Sequence, residues 1–461
     1  MENPGTNLAA GSVPRTMLRF FWPLLVANLL QSLYGFVDML VVGRFVGSAG
    51  LVAVGNAAML GFVVTSLSIG LGVGGTVRIA RHVGAGARDR IRPTVDTMLT
   101  LSVALSAAVT FAVLFALDSL LALLSIPPEA VADARAYTIV VTAGTVFVFG
   151  FNAAGSLLRG MGDSRRPMNF ILLAAAVNIC LDLLFVGPLG LGVVGAAYAT
   201  VAAQAAACAA GTACLYRSSG SLRAGRPAPR LSEAGPILRV GAATAAQLVV
   251  VNISYAVVTA MLNAHGVAVA AASGIGLKVN TFAAMPCWAF GFAVTAMAGQ
   301  CLGARKNARA AKVLRWGLAF NLACSSILAL AVNILAEPIM LLFAPGEHEV
   351  ARIGVRYLRL CCSLNSLVYC AMYTFDAFAT GAGDASVALL NSLLDSLAIR
   401  LALAWLLAVR WGWGYEGIFL AQALAPVLPA AIGAAYCLRG KWTRLDRGSA
   451  GAEITVSGVE K

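Results

Sequence analysis

ILLAAAVNICLDLLFV, residues 171–186, is an apolar run of membrane quality with two polar interruptions, Asn178 and Asp182. The two are four positions apart, so on a helix their side chains share one face, one turn from each other. A carboxylate and an amide therefore meet inside what the surrounding leucines, alanines and isoleucines mark as hydrocarbon. A charged group at mid-bilayer costs roughly 2.5–3.5 kcal/mol even on the lenient insertion scale, and such residues face a cavity, a partner or an ion path. The run predicts a transmembrane helix with a functional polar face.

The remaining chain is built from similar runs. Of its 461 residues 60% are hydrophobic and 11% charged, whereas a soluble domain carries about 25% charged residues. This composition predicts a polytopic membrane protein. At roughly 20 residues per span, about a dozen helices fit, with cores near 18–42, 51–76, 94–117, 136–157, 168–187, 192–215, 237–262, 267–298, 313–335, 354–379, 387–409 and 415–438. The first run, Leu18 to Val42, is too long for the core of a cleavable signal and no small-residue cleavage site follows, so it reads as the first span.

The net charge of +13 is placed in alternate loops, which argues against a nucleic-acid surface. Arg78, Arg81, Arg88, Arg90 and Arg92 lie between spans two and three, and Arg159, Arg165 and Arg166 between four and five. Arg217, Arg223, Arg226, Arg230 and Arg239 follow between six and seven, then Arg305, Lys306, Arg309, Lys312 and Arg315 between eight and nine. By the positive-inside rule these loops and both termini are cytoplasmic, which requires an even number of spans. The arginines themselves read as orientation signals. The ten cysteines show no CxxC pattern and read as small, reduced hydrophobes. His82, His265 and His348 fall in or near loops, and no metal or cofactor motif is visible.

Two halves are legible. Tyr216 to Pro236, YRSSGSLRAGRPAPRLSEAGP, is the one long polar stretch inside the chain and lies near its midpoint. On either side of it the pattern repeats: Arg239 follows Arg19 by 220 positions, Tyr357 follows Tyr137 by 220, and Asp384 of TGAGD follows Asp163 of RGMGD by 221. Six spans per half predict a parallel repeat about an axis along the membrane normal, an architecture suited to alternating access. The expected organisation is an N-lobe over 1–216, a cytoplasmic linker over 217–236, a C-lobe over 237–439 and a polar cytoplasmic tail over 440–461. Gly70, Gly72, Gly74 and Gly75 allow close helix packing.

Further polar residues gather in the first half. Asp38 sits deep in the first span, with Pro23, a helix-bending residue, fifteen positions earlier; Asn152 lies in the fourth span and Thr200 in the sixth. With Asn178 and Asp182 they form an all-oxygen donor set, suited to a hard cation such as sodium, and a buried carboxylate near another can carry a proton. A helix-packing role, such as an Asp38 bond to Tyr34 or an Asn178–Asp182 clamp between helices, is the bland alternative.

VDMLVVGRFVG in the first span, HVGAGARDR after the glycine-rich second span, the paired RGMGD and TGAGD, and GIGLKVNTFAAMPCWAFGFAVTAMAGQCLGARK resemble the MATE (multidrug and toxic compound extrusion) family, over nearly the whole chain from about Arg15 to Arg439. The first half looks like the prokaryotic DinF-like and MepA-like branches. The resemblance implies an all-α membrane protein of about twelve transmembrane helices in two pseudo-symmetric six-helix lobes. It implies a secondary antiporter, not an enzyme, without a cofactor, monomeric, in the cytoplasmic (inner) membrane of a prokaryote. Such an antiporter exports cationic or amphipathic small molecules against inward H+ or Na+. Carried over by position, Asp38 is the exchanging carboxylate, Asp182 the fixed one held by Asn178, Asn152 and Thr200 complete the cation site, and Pro23 is the bend of the first helix.

The second half departs from the NorM-like pattern of extra carboxylates in helices seven and ten. The seventh span offers Gln247 and Asn252, Tyr369 stands where the tenth-helix aspartate is expected, Asp376 is out of register, and Cys301 replaces a more usual asparagine. Asp395 and Arg400 read as a structural ion pair and Lys278 as a snorkelling residue. Tyr34, Met285, Trp288 and Met297 are candidates for an adaptable substrate cleft. An exporter of a lipid-linked or polysaccharide precursor with the same repeat is the alternative function. It calls for several intramembrane cations to hold pyrophosphate, and here they are few. A membrane-embedded enzyme lacks a reactive motif, because GAGD at Gly381 to Asp384 matches its twin GMGD as a repeat turn.

Overall fold

The computed structural model describes residues 7–123, 127–218 and 229–443, and every regular element in them is helical. Apolar chain in lipid must satisfy its backbone polar groups internally, which long helices do. The first half contains α1 (Val13–Phe45), α2 (Ser48–Ala85), α3 (Arg88–Phe115), the short α4 (Leu117–Leu123), α5 (Pro128–Ala143), α6 (Thr145–Gly160), α7 (Arg165–Val186) and α8 (Gly192–Ser218). The second contains α9 (Leu231–Asn263), α10 (Val267–Gly303), α11 (Asn307–Phe343), α12 (His348–Arg359), α13 (Asn365–Gly381), α14 (Ala385–Leu393), α15 (Arg400–Trp405), α16 (Gly414–Leu424) and α17 (Val427–Leu438).

Ten helices among the described residues are long and apolar enough to cross a membrane, and an eleventh forms if α5 and α6, bent by 46° at Gly144, count as one span. The tenth expected span, 354–379, is α12 and α13 joined through a π-helical turn at Leu360–Leu364. A second π turn, Leu394–Ile399, joins α14 to α15. It widens the helix so that residues five apart, not four, stack on one face, and this aligns Asp395 with Arg400. Arg400 Nη2 donates to Asp395 Oδ2 at 2.6 Å, both side chains are 2% exposed, and the guanidinium lies 4.7 Å from the Tyr255 ring centroid.

The stretch expected as a linker is partly helix. α8 continues through Ser218 and α9 starts at Leu231, ahead of Pro236; residues 219–228 lie outside the described part. The polar tail beyond residue 443 also lies outside it, but its first turn is folded. Trp442 packs edge-on against Phe378 with ring centroids 5.2 Å apart and donates Nε1–H to Cys437 O.

The chain divides into two compact units: Trp22–Ala245 with the N-terminal residues through Asn7, and Ala246–Lys461 with Leu8–Phe21. The start of α1 therefore belongs with the second half and the start of α9 with the first. Within the second unit, Phe21 stacks on Phe290 with centroids 3.9 Å apart. In the first, α9 presses against α2 with no room for side chains. A Cβ on Gly74 would meet Ile237 O at 2.2 Å, and one on Gly70 would meet Gly241 O at 2.6 Å.

The same junction holds Glu233, which is fully buried. Arg78 donates to it twice, at 2.7 and 3.1 Å; Thr94 Oγ1 donates at 3.0 Å, His82 Nε2 lies at 3.0 Å and Arg90 Nη1 at 3.8 Å. Arg78 and Arg90, which read as orientation signals in the sequence, are thus structural partners of a carboxylate. That partner was hidden because it lies 155 residues from Arg78 in a stretch that looked like solvated linker.

Candidate functional site

In the first unit two apolar clusters stand apart, and the polar residues of interest lie beside one of them. One cluster contains Val41, Val42, Val54, Tyr137, Val186, Ala196 and Ala197; the other contains Ile79, Val95, Leu157, Phe170 and Ile237. Asp38 is one turn before Val41 and Val42 on α1, Asp182 one turn before Val186 on α7, and Thr200 one turn after Ala196 on α8. The first cluster therefore packs the three helices against each other at the level where the polar side chains emerge.

Asp38 and Asp182 are brought together: each carboxyl acts electrostatically on the other, and Asn178 stands beside Asp182. Asn178 is 1% exposed and Asp182 0%. Asp182 Oδ1 and Oδ2, Asn178 Oδ1 and Nδ2, and Asp38 Oδ1 are all buried with no partner at full hydrogen-bond distance, although Asp38 and Asn178 both stand near enough to Asp182 to interact with it. Native interiors pair nearly all such atoms, and an unpaired buried carboxylate oxygen is among the costlier groups to leave unsatisfied. Their convergence fits a ligand that takes oxygen donors. Two negative charges at close range with little water also repel, and a bound monovalent cation or proton removes that cost. Among the described residues no three His, Cys, Asp or Glu side chains gather as a metal site. The donor set is two carboxylates with amide and hydroxyl oxygens.

The other expected members take different places. Thr200 pairs with Tyr137, whose hydroxyl interacts with Thr200 and feels both Asp38 and Asp182. Tyr137 is the neighbour of these polar residues that the sequence did not single out; its polar tip in an apolar span was the available signal, and in the sequence it served only as a repeat marker. Tyr34 also senses Asp38, from one turn away on α1. Gln204, one turn beyond Thr200 on α8, adds a buried unpartnered Oε1. Asn152 turns its amide to Val148 O of its own helix at 3.0 Å, leaving its carbonyl oxygen as the atom available to a ligand. Pro23 lies inside α1, immediately after the Phe21–Trp22 boundary between the two units.

In the second unit, Met285 and Met297 are 1% and 0% exposed. They fill the packed middle of α10 rather than a surface open to a substrate, which is how a flexible thioether serves an irregular core. Trp288 is half-buried and Lys278 is exposed. Asp376, 2% exposed, accepts from Asn391 Nδ2 at 2.6 Å, and Asp395 is held by Arg400.

The profile of the MatE family matches residues 23–184 and again 243–406. A relative from Bacillus subtilis, "Probable multidrug resistance protein YoeA", is 30% identical over 359 residues, covering 76% of this chain and 77% of its own length. "Probable multidrug resistance protein NorM" of Thermotoga maritima is 25% identical over 444 residues, covering 94% of each. A MOP superfamily transporter from Pyrococcus furiosus shares the fold, with a TM-score of 0.89 at 23% identity over 96% of this chain and 99% of that one. Matched twice by the family profile, over more than half of its length, the chain belongs to the MatE family, whose members are transporters rather than enzymes.

Proposed function

We propose that this transporter is a secondary antiporter that exports cationic or amphipathic small molecules in exchange for inward H+ or Na+, by alternating access between its two six-helix lobes. The observation that carries the reading is the buried Asp38–Asp182 pair, with Asn178 beside it and five polar atoms lacking partners at full hydrogen-bond distance. A transporter that stores energy from an ion gradient needs a group whose charge is neutralised on one side of the cycle and restored on the other, and a carboxylate pair in hydrocarbon does this. In this reading Asp38 exchanges the ion, Asp182 stays fixed, and Asn178, Thr200 and Asn152 complete the coordination, with Tyr137 orienting Thr200. The names of the relatives support drug-like substrates. The basic loops support an orientation with both termini cytoplasmic, the bacterial and archaeal relatives support a prokaryotic inner membrane, and a monomer is what the family resemblance implies. Export of a lipid-linked pyrophosphate is disfavoured because the deeply buried Arg400 is committed to Asp395.

The test is export of ethidium from reconstituted vesicles under a proton gradient and a sodium gradient imposed separately. Wild type should respond to one gradient, and Asp38→Asn and Asp182→Asn should lose uphill export while remaining folded. Undiminished export by Asp38→Asn removes its role as exchanging group.

A further inference from the structure

The turn between α10 and α11 gathers Arg305, Lys306, Arg309 and Lys312 around a cavity of about 510 Å³, completed by Asn307 and Ala308. Arg305 holds a left-handed backbone, φ 57°, which turns the chain sharply there. In the corresponding basic stretch of the first half, at the end of α2 and the start of α3, the Glu233 carboxylate pairs with Arg78 and Arg90. Among the described residues no carboxylate does so here. Lys306 Nζ donates to Ala9 O at 2.9 Å, and Arg309 donates to Gly11 O and Ala10 O at 2.6 Å each and to Leu8 O at 3.1 Å. The partners are carbonyl dipoles, so four full positive charges remain, and among the described residues none of them is paired with a carboxylate. The first turn of α11 adds the positive end of a 37-residue helix.

What lies below the bowl indicates its ligand. Lys312, Trp316 and Phe320 follow one another down a single face of α11, Lys312 exposed, Trp316 42% exposed and Phe320 half-buried. At 1.5 Å per residue they span about 12 Å, within the depth of one leaflet. A basic residue, then an indole, then an apolar ring is the order of headgroup, interface and acyl region in a leaflet, and a free phosphate has no use for the two rings.

We propose that this bowl binds the phosphate of an anionic phospholipid of the cytoplasmic leaflet, with the acyl chains lying along the exposed face of α11. The leaflet assignment rests on the orientation proposed above. Lys306 and Arg309 anchor the segment Leu8–Gly11, whereas Arg305 and Lys312 make no such bonds and are free to meet the lipid.

The test titrates detergent-solubilised full-length protein with phosphatidylglycerol or phosphatidylcholine and reads bound lipid by native mass spectrometry. Wild type should retain phosphatidylglycerol in preference. At about fivefold per basic residue, Arg305→Gly with Lys312→Gln should weaken that retention roughly 30-fold, without lowering the thermal midpoint, since glycine suits the backbone at 305. A control that removes two charges elsewhere, Arg88→Gln with Arg439→Gln, should bind as wild type. Equal loss in the control makes the effect diffuse charge and overturns the site, as does unchanged retention in the test variant. Complete displacement by millimolar inorganic phosphate assigns the bowl to a free anion and overturns the lipid reading. The measurement needs no gradient and no transport, so its outcome is independent of the antiport reading.

Discussion

Replacing Glu233 with glutamine removes one negative charge from a site where Arg78, His82, Arg90 and Thr94 all point at it, and leaves shape nearly unchanged. The carboxylate is fully buried and takes three side-chain hydrogen bonds between 2.7 and 3.1 Å from Arg78 and Thr94, with His82 at 3.0 Å. Bonds to a charged group contribute about 1.5–3 kcal/mol each, and breaking a buried pair costs about 3–5 kcal/mol. Arg78 and Arg90 retain 17% and 33% exposure, so water reaches the stranded cations and the loss should fall near the lower bound, about 3 kcal/mol. A glutamine also directs its NH2 group at donors, which it cannot satisfy. The free, buried thiols of Cys287, Cys301, Cys361, Cys362 and Cys370 allow unfolding to be followed with a thiol-reactive dye. The midpoint should drop by several degrees. A midpoint within about 1 °C of wild type, well under the shift that one kcal/mol gives a small domain, refutes the claim that this cluster holds the start of α9 in the first unit.

Gly74→Ala should destabilise by about 1–3 kcal/mol or more, because its methyl would meet Ile237 O at 2.2 Å and backbone cannot step aside as a side chain can; the same unfolding assay reads it. Arg400→Met strands the buried Asp395 and should cost about 3–5 kcal/mol, whereas Arg400→Met with Asp395→Leu should recover most of the loss. Failure of the double variant to recover would show that the pair is needed for more than charge balance. Tyr137→Phe keeps the ring in its apolar cluster and deletes the hydroxyl that reaches Thr200; export in the ethidium assay should fall while the unfolding midpoint changes by less than about 1 kcal/mol equivalent.

Long apolar runs and their alternate basic loops made the helical class and the twofold repeat readable, since both are properties of local composition. Asp38, Asn178 and Asp182 stood out for the same reason: a polar atom in a 20-residue apolar window is conspicuous without knowledge of its partners. Asn152 and Thr200 were equally visible, but only the fold shows that Thr200 turns to Tyr137 and Asn152 to its own backbone. Features that depend on long-range contact were opaque. Glu233 looked like a loop residue because its partners lie 139 to 155 positions away. The burial of Met285 and Met297 depends on neighbouring helices, not on their own helix's pattern. The π turn that pairs Asp395 with Arg400 has no compositional mark, and only its five-residue spacing hinted at it.

The allocation of chain to units also bears on how the molecule comes into being. Leu8–Phe21 completes the second unit and Leu231–Ala245 completes the first, so each half lends its opening segment to the other. A ribosome delivers the first half before the residues that finish its unit exist, so that unit stays incomplete until α9 has been made. The second, in turn, closes on a segment synthesised hundreds of residues earlier. Two fragments cut at the midpoint would face the same reciprocal debt. Each fragment would lack the segment that its unit takes from the other half, so co-expressing the two halves is expected to yield more folded protein than either alone.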